Sequence, residues 1–518
     1  MKVVCLAIHS ETKQNPGMPT WNYSLPHAFL QAYMTTSSFY SEFEFCNLNF
    51  REFDDPKDMA NEIANLKPDI VAVSCYVWNM RAVEQVVPMV KEKLPYVISI
   101  LGGAELNHNS QFLLKDAAAD FLVIGEGEKT FLELMEHLLK GDGSDPSNIS
   151  GLIFKNQANE IEKTPPRQRF TDLNKIPSPY LLGLVDPKHI QDGLVGLETQ
   201  RGCILNCAFC DYQKGFKNVR FVDVDRVLKE VEWIISHNPK QLYLMDPTFN
   251  SNRKRAKAIL SAIIKGKNPE KPIAVNAEMI PDMLDEELIH LAKEAGFNYL
   301  EVGVQTLNEV AVEKMDRYRN EKKLFKNINI ALQYNLPVVP QIVFGLPGDN
   351  FDSFLATFDR IYALPTANIQ VFHLLLLPGT RYRDEAELYG IKFDASPPYH
   401  IIQSNDFPVD KIVVLKLIAL IVLITQPMKQ LLTQISIDTR HRLHEMFLGF
   451  IQQCNAKELA FSLPLNKQEE KVIAMNAVGL FYKYVCLAVL SSIRDEEDRF
   501  NKEQSLKKAM KLSQILLM

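Results

Sequence analysis

Twice along this chain of 518 residues, short β-branched runs alternate with amphipathic stretches, and no other feature narrows the fold as much. In the first pass VVCLAI (3–8), FEFCNL (43–48), DIVAVSCYV (69–77), YVISILGG (96–103) and ADFLVIG (119–125) read as strands, with helical segments such as DPKDMANEIANL between them. Strands separated by helices run parallel, because the crossover must return to the starting edge of the sheet before the next strand can pair. Residues 1–140 are therefore expected to form a doubly wound sheet. Such sheets bind ligands at the carboxyl ends of their strands. The candidate positions are His9 to Thr20, Ser74 to Asn79, Gly102 to Leu106 and Gly125 to Lys129.

The second pass begins at Leu194. LVGLETQ (194–200), QLYLMDP (241–247), PIAVNAE (272–278), YLEVGVQT (299–306), PVVPQIVFGLPG (337–348) and NIQVFHLLLLPG (368–379) read as six strands, again separated by helical stretches. Six βα units fall short of the eight that close a barrel. Residues 191–400 are therefore expected to form a partial, TIM-like (β/α)6 barrel, open on one side. Between the two passes, residues 141–190 change texture: GDGSDPSN, a hairpin pattern GLIFKNQANEIEK and the proline-rich PPRQRFTDLNKIPSPY read as a linker. Residues 401–518 are read as an all-helical domain, apart from a loop near Ser462 to Asn466. The fold class is thus α/β with a helical C-terminal part.

The most apolar stretch, Ile412 to Met428, is split by Lys416 and ended by Pro427. A spanning helix needs about 20 apolar residues, so the stretch is read as a buried helix and not a membrane segment. A net charge of −6 offers no basic footprint for nucleic acid. The N-terminal MKVVCLAIHS has too short an apolar run for a signal peptide and reads as a first strand. Five cysteines (Cys5, Cys46, Cys75, Cys454, Cys486) stand singly, mostly among apolar neighbours, as buried free thiols do. A reducing, cytoplasmic setting follows.

The other three cysteines crowd into RGCILNCAFC (201–210), where Cys203, Cys207 and Cys210 are spaced C-x3-C-x2-C directly after the first strand of the second pass. Structural zinc takes four ligands, and neither a fourth cysteine nor a second CxxC pair lies nearby. A disulfide cannot use three thiols. Three thiolates suit a [4Fe-4S] cluster with one iron left open, since ligation by four cysteines is otherwise the rule. With Phe209 just before the last cysteine, the segment resembles the signature of the radical S-adenosylmethionine (SAM) superfamily. The resemblance implies that Cys203, Cys207 and Cys210 hold the cluster and that its open iron binds the amino and carboxylate groups of SAM. An electron from the cluster would then cleave SAM to a 5′-deoxyadenosyl radical.

Other strand ends resemble the same superfamily. Phe209 and Tyr212 are placed to pack against adenine, with shielding of the cluster from water as the plainer role. Glu278, closing the third strand, resembles the ribose-contacting position, against the plain reading of a solvated strand-end carboxylate. Gly303-Val304-Gln305-Thr306 resembles the fourth strand exit, and alternation turns Gln305 to the face opposite Val304. FGLPG (344–348) and LLPGT (376–380) are glycine-proline exits in the expected order.

The first domain lacks a G-x-G-x-x-G after its first strand, which argues against a dinucleotide. Ser74 and the pair Gly102-Gly103 resemble the S-x-L and G-G elements of cobalamin-binding domains, although Tyr76 stands where the first has leucine. Gly125-Glu126-Gly127-Glu128 resembles the fifth strand exit of cobalamin-binding radical SAM proteins. The resemblance implies cobalamin contacts at Ser74, Tyr76, Trp78, Gly102, Gly103, Gly125, Glu126 and Gly127. A serine hydroxyl can bond to the base, and glycines let the tail approach the backbone. Tyr76 to Asn79 offer a flat wall for the corrin or, equally, core packing. The D-x-H-x-x-G motif that gives cobalt a histidine in mutases is absent from HSETKQNPGMPT (9–20), and Asp186 and His189 are wrongly spaced, so no lower ligand is read.

Cobalamin domain, I-P-S-P-Y linker (176–180), radical SAM barrel and helical tail, in that order, resemble the cobalamin-dependent radical SAM class over about residues 1–400. That class implies a C-methyltransferase acting on an unactivated carbon through methylcobalamin and a 5′-deoxyadenosyl radical. It also implies an external reductase of flavodoxin or ferredoxin type and a small-molecule or peptide substrate, with no nucleic-acid or membrane partner. Three alternatives stay open: a rearrangement or cyclisation without methyl transfer, a cobalamin-free radical SAM enzyme, and a non-enzymatic iron-sulfur sensor.

Overall fold

The computed structural model describes residues 1–10, 21–141, 143–191, 193–212, 218–439, 442–453, 481–482, 484–486, 490 and 496–517. Seven strands make the first sheet: β1 (Lys2–His9), β2 (Glu44–Arg51), β3 (Ile70–Ser74), β4 (Ile98–Gly102), β5 (Phe121–Val123), β6 (Leu152–Lys155) and β7 (Ile161–Lys163), in the order β2-β1-β3-β4-β5-β6-β7. The first five are parallel. Successive side chains of a strand point to opposite faces. Val4, Leu6, Val71 and Val73 accordingly pack on one side with Ile63 and Val87, while Val3, Cys5, Ile70 and Ala72 pack on the other with Met34 and Phe131. Separate cores on the two faces make the sheet doubly wound. The hairpin read as part of a linker joins this sheet, β6 pairing antiparallel with β5 and β7 with β6. β6 thereby buries Ile153 in the first of these cores and Phe154 in the second.

The second pass contributes β8 (Leu194–Leu197), β9 (Gln200–Arg201), β10 (Arg220–Phe221), β11 (Gln241–Leu244), β12 (Ala274–Met279), β13 (Phe297–Gln305), β14 (Val338–Phe344) and β15 (Gln370–His373). β8 and β11 to β15 form one parallel sheet in sequential order, and β15 does not pair back to β8. The result is an open (β/α)6 barrel. The first barrel strand is shorter than its apolar pattern suggests, because Asp246 draws the backbone of Thr199 and Gln200 aside. The chain resumes as β9, which pairs with β10 in a two-stranded ribbon.

Helix Val409–Thr425 buries Ile412, Leu415, Ile418 and Ile421 in the same core as the barrel, and the turn Gln426–Met428 with Pro427 ends it. No described helix is long and apolar enough to cross a membrane. Cys5 and Cys75 are buried free thiols, and Cys46 and Cys486 are half-buried. Cys454 and the loop expected near Ser462 to Asn466 lie outside the described residues.

Candidate active site

The ribbon pairs Arg201 with Arg220 and so frames the cysteine loop at the carboxyl end of the barrel. Gly202, at φ +92, permits the pinch, since a Cβ there would lie 2.7 Å from Asn218 O. Below the loop, Asp246 accepts from Thr199 N (2.7 Å), Thr199 Oγ1 (2.5 Å) and Gln200 N (3.1 Å). Burial raises this carboxyl to about 7, against the pull of those hydrogen bonds. Arg255 Nη2 donates to Thr199 O at 3.0 Å and holds the same peptide from the other side.

Cys203, Cys207 and Cys210 then line one cavity of about 610 Å³ together with Phe209, Glu278, Gln305 and Arg317. The volume is in the range of small-molecule cofactor sites. Cys203 is buried, its sulfur 3.4 Å from Thr248 Oγ1. Arg317 Nη1 donates to Cys207 Sγ at 3.3 Å. Burial pushes the Cys207 thiol up and Arg317 pulls it back. Cys210 is the exposed member of the three, yet its sulfur is set deep enough that burial pushes it up to about 12. Thiols kept neutral by burial give up their protons when a metal binds. Among the described residues no three His, Cys, Asp or Glu side chains are grouped to hold a single ion, whereas a cubane cluster takes each thiolate on a different iron. Three sulfurs around one cavity, with a guanidinium beside one of them, fit such a cluster.

Gln305 reaches the cavity by a route that alternation does not describe. β13 shifts register against β14 between Gly303 and Gln305, and Gln305 stands at φ +66. A non-glycine residue held there stores about 1–3 kcal/mol of strain, and such positions cluster at functional sites. Val304 is buried in the core while Gln305 lines the cavity. Gly303 makes the room: a Cβ there would clash with Gln305 Nε2 and lie 3.1 Å from Arg317 Nη2. Arg317 Nη2 donates to Gly303 O at 2.8 Å. Glu278 accepts from Tyr243 OH at 3.4 Å, and the same hydroxyl lies 3.5 Å from Glu301. Burial, then the charge of Glu301, raises Glu278 to about 7. Tyr212 lines the cavity and donates to Met245 O at 3.3 Å. The LLPGT exit joins the lining through Gly379 and Thr380. The FGLPG exit packs elsewhere, its Gly345 against Ile401 and its Gly348 N donating to Asp406 at 2.9 Å.

Two lining residues carry no motif and escape the sequence reading. Arg317 comes from a loop after β13 that the chain folds onto the cysteines, with Ala208 N donating to Met315 O at 2.9 Å. His373 closes β15 and is stacked between Phe344 (4.7 Å) and His400 (4.5 Å). Burial lowers it to about 2, so it presents a neutral imidazole to the cavity. Its position at a barrel strand end was the one available signal.

In the first domain Ser74 is buried at the end of β3, and Asn79 pins the turn that follows, donating to Ser74 O (2.9 Å) and Ile8 O (3.1 Å). Tyr76 and Trp78 stack at 4.5 Å with 3° between their planes, and Trp78 is 44% exposed, so the pair does present a flat face. Gly103, at φ +124, is required by the protein itself, since a Cβ would meet Cys75 N at 2.8 Å and collide with Cys75 O. Gly102 and Gly127 make ordinary contacts with Val123, while nothing lies within 4 Å of the Cβ position at Gly125. Glu126 is already engaged: Arg220 Nη2 donates to it at 2.5 Å and Phe170 N at 3.2 Å. A carboxylate satisfied in this way has little capacity left for a cofactor, so its part lies in the protein. Residues 11–20, within one of the four candidate loops, lie outside the described residues. The exposed aromatic face and the open space at Gly125 fit a flat corrin. A second cavity of about 330 Å³ runs between Glu105 of this domain and Arg383 and Tyr399, and shares Gly379 and Asp384 with the first.

Residues 197–361 match the model of the radical SAM superfamily, and residues 28–135 match that of the B12 binding domain. The chain combines the two domains of the cobalamin-dependent radical SAM family. It is 34% identical over 201 residues to the cobalamin-dependent radical SAM methyltransferase TokK of Streptomyces tokunonensis, covering 37% of this chain and 29% of TokK. It is 26% identical over 329 residues to the uncharacterized methyltransferase PH0819 of Pyrococcus horikoshii, covering 62% of this chain and 70% of that one. The chain spans 29% of the length of TokK and of the 2-(S-pantetheinyl)-carbapenam-3-carboxylate methyltransferase of Streptantibioticus cattleyicolor. In fold it resembles the cobalamin-dependent SAM radical enzyme OxsB, with a TM-score of 0.64 at 13% identity over 98% of this chain and 84% of OxsB. The radical SAM methyltransferase TsrM of Kitasatospora setae gives 0.59 at 18% identity over 77% of this chain and 79% of TsrM.

Proposed function

We propose that the chain is a cobalamin-dependent radical SAM C-methyltransferase that replaces a hydrogen on an unactivated substrate carbon with a methyl group. The observation that carries this reading is convergence. Three thiols, Glu278, Gln305 and Arg317 line one cavity at the carboxyl ends of the barrel strands, and a strand exit of the B12 binding domain is ion-paired to the loop that bears the thiols. When bound, the cluster supplies an electron that breaks the bond from sulfur to the 5′-carbon of one SAM, and cobalamin carries the methyl group of another. In balance, a substrate C–H bond, two SAM and two electrons give the methylated carbon, S-adenosylhomocysteine, methionine and 5′-deoxyadenosine. The electrons come from a low-potential donor of flavodoxin or ferredoxin type.

The chain's own residues bind, orient and exclude water. Cys203, Cys207 and Cys210 would hold the cluster, with SAM bound beside it in the same cavity. Arg317 sets a permanent cation beside Cys207, which offsets the negative charge that thiolates and the SAM carboxylate bring together. Glu278 and the Gln305 amide offer hydrogen bonds to the ribose and the methionine part, and Phe209 and Tyr212 offer aromatic faces to adenine. His373 can hydrogen-bond a substrate without adding charge to the cavity. Ser74, Gly125 and the Tyr76–Trp78 face receive cobalamin. The names of TokK and the carbapenam enzyme favour methyl transfer to a small molecule over the ring closure named for anaerobic magnesium-protoporphyrin IX monomethyl ester cyclase, which matches at 22% identity. Cysteines that form no disulfide among the described residues, beside an oxygen-sensitive cluster, support a reducing, cytoplasmic setting.

The test is anaerobic reconstitution with iron and sulfide, then hydroxocobalamin, then SAM with titanium(III) citrate. The expected result is about four irons per chain, one bound corrin, and release of both 5′-deoxyadenosine and S-adenosylhomocysteine. Deoxyadenosine without corrin uptake would leave a cobalamin-free radical enzyme, and neither product would leave an iron-sulfur scaffold.

A further inference from the structure

The ribbon that frames the cysteine loop presents two arginines side by side, and both are gripped by the first domain. Arg201 Nη2 donates to Glu128 Oε1 at 2.6 Å, and its Nε donates to Glu198 Oε2 at 2.9 Å. Its guanidinium also lies over the Phe29 ring at 5.6 Å and 3.9 Å from Glu126 Oε1. Arg220 holds Glu126 with both terminal nitrogens, at 2.5 and 3.1 Å, and donates to Phe170 O at 2.7 Å. All four side chains are no more than 15% exposed. Glu126 and Glu128 flank Gly127 at the exit of β5, in the Gly-Glu-Gly-Glu stretch first read as a cofactor contact. Arg201 stands two residues before Cys203. A short, largely buried, charged bridge therefore joins the strand exit of the B12 binding domain to the root of the cysteine loop.

Stability alone does not explain such a bridge. Taking charges out of water costs several kcal/mol per ion, and an apolar contact of the same size is often as stable or more so. What paired guanidinium forks provide is geometry, because a bidentate contact sets distance and angle together. Geometry matters unequally to the two uses of SAM in the proposed function. Reductive cleavage needs SAM and the cluster, which sit on the barrel together. Methyl transfer would span the two domains, with SAM held beside Cys203, Cys207 and Cys210 and cobalamin held at the strand ends of the B12 binding domain; reduced cobalamin would supply the electron pair for the new bond to the methyl carbon, while the pair of the broken sulfur–methyl bond would stay on sulfur. A displacement of that kind needs the reacting atoms aligned, and a 1 Å misplacement costs about 100-fold.

We propose that the Glu128–Arg201 and Glu126–Arg220 pairs are a spacer that fixes the separation and tilt of the cysteine loop relative to the B12 binding domain, bringing SAM within reach of cobalt. The spacer rests on the function proposed above and assigns these residues a positioning role. Glu128→Gln and Arg220→Met each cut one arm and leave the other. In the first variant Arg201 keeps Glu198 and Glu126, so its buried charge stays compensated.

The experiment uses the full chain loaded with cluster and hydroxocobalamin, given SAM and titanium(III) citrate without substrate. The expected result for both variants is wild-type iron and corrin content, 5′-deoxyadenosine release within twofold of wild type, and S-adenosylhomocysteine release lowered at least tenfold. In the unloaded chain, amide hydrogen exchange should quicken at both ends of the bridge, in residues 121–131 and 197–203. S-adenosylhomocysteine release within twofold of wild type in both variants would overturn the spacer. So would a joint fall of both products with loss of iron, which would make the bridge a folding element of the cysteine loop. A wild-type chain that takes up no corrin would instead sink the functional reading on which the spacer rests.

Discussion

Gly303→Ala separates the chemistry of the cavity from the stability of the barrel. The added Cβ would clash with Gln305 Nε2 and sit 3.1 Å from Arg317 Nη2, and all three of its nearest atoms belong to the tips of these two side chains. Gly303 lies inside β13, where alanine fits the backbone. The methyl group must therefore move the Gln305 amide and not the strand, and Gln305, already held at φ +66, has no easy backbone retreat. Overpacking costs about 1–3 kcal/mol in a closed core. Here an open cavity puts it at the low end, and replacing glycine returns about 0.5–1 kcal/mol of chain entropy. The net change is about 1 kcal/mol or less, or roughly 2–4 °C in melting temperature for a domain of this size. Binding suffers more. Losing an amide hydrogen bond and displacing a guanidinium costs about 1–3 kcal/mol, roughly 5- to 150-fold in SAM affinity. The assay is the SAM concentration for half-maximal 5′-deoxyadenosine release under dithionite, read beside a thermal melt. A SAM dependence within twofold of wild type would refute the reasoning, as would a melting point lowered by far more than 4 °C together with loss of iron.

The opposite outcome is expected for Gly103→Ala, whose Cβ would meet the Cys75 backbone at φ +124; a left-handed penalty and a rigid clash sum to about 2–4 kcal/mol. Melting of the first domain should drop with iron content unchanged, and an unaltered melt would contradict this. Cys207→Ser should leave iron near background while corrin uptake persists; full iron occupancy would remove Cys207 from the cluster. For Glu278 the folded pKa is raised from 4.5 to about 7, so its protonated form is favoured by folding and that contribution is lost as pH rises from 4.5 through 7. The apo wild type should therefore lose about 2–3 kcal/mol relative to Glu278→Gln across this window. Parallel stability curves for the two proteins would count against the buried position of Glu278.

Both sheets were legible because parallel strands covered on two faces leave unbroken apolar runs in the sequence. The cysteine loop, Glu278 and the LLPGT exit were legible for a related reason: the end of a barrel strand in sequence is also the rim of the barrel in space. The hairpin at β6 and β7 looked like linker because two short strands carry no sign of which sheet edge they will join. Gln305 comes to the cavity through a left-handed residue at a register shift, which a two-residue period does not describe. Glu126 between glycines looks like a ligand contact until its partner Arg220, 94 residues further on, is brought beside it. Arg317 was hidden because only tertiary folding sets it against Cys207, and His373 gave no signal beyond its place at a strand end.

A partial barrel has two raw edges that a closed barrel lacks. Here neighbours dress both of them. Trp21 bridges in parallel to Leu194 beside β8, while helix Val409–Thr425 lies against β15 and Leu375 bridges to His400. The catalytic barrel is consequently not a portable module. Residues 191–400 expressed alone would offer β8 and β15 to other copies and aggregate, and a barrel exchanged between relatives would have to travel with the flanking pieces that cap it. Shuffling in such proteins is then constrained at the seams of the barrel, outside the cavity where the chemistry is done.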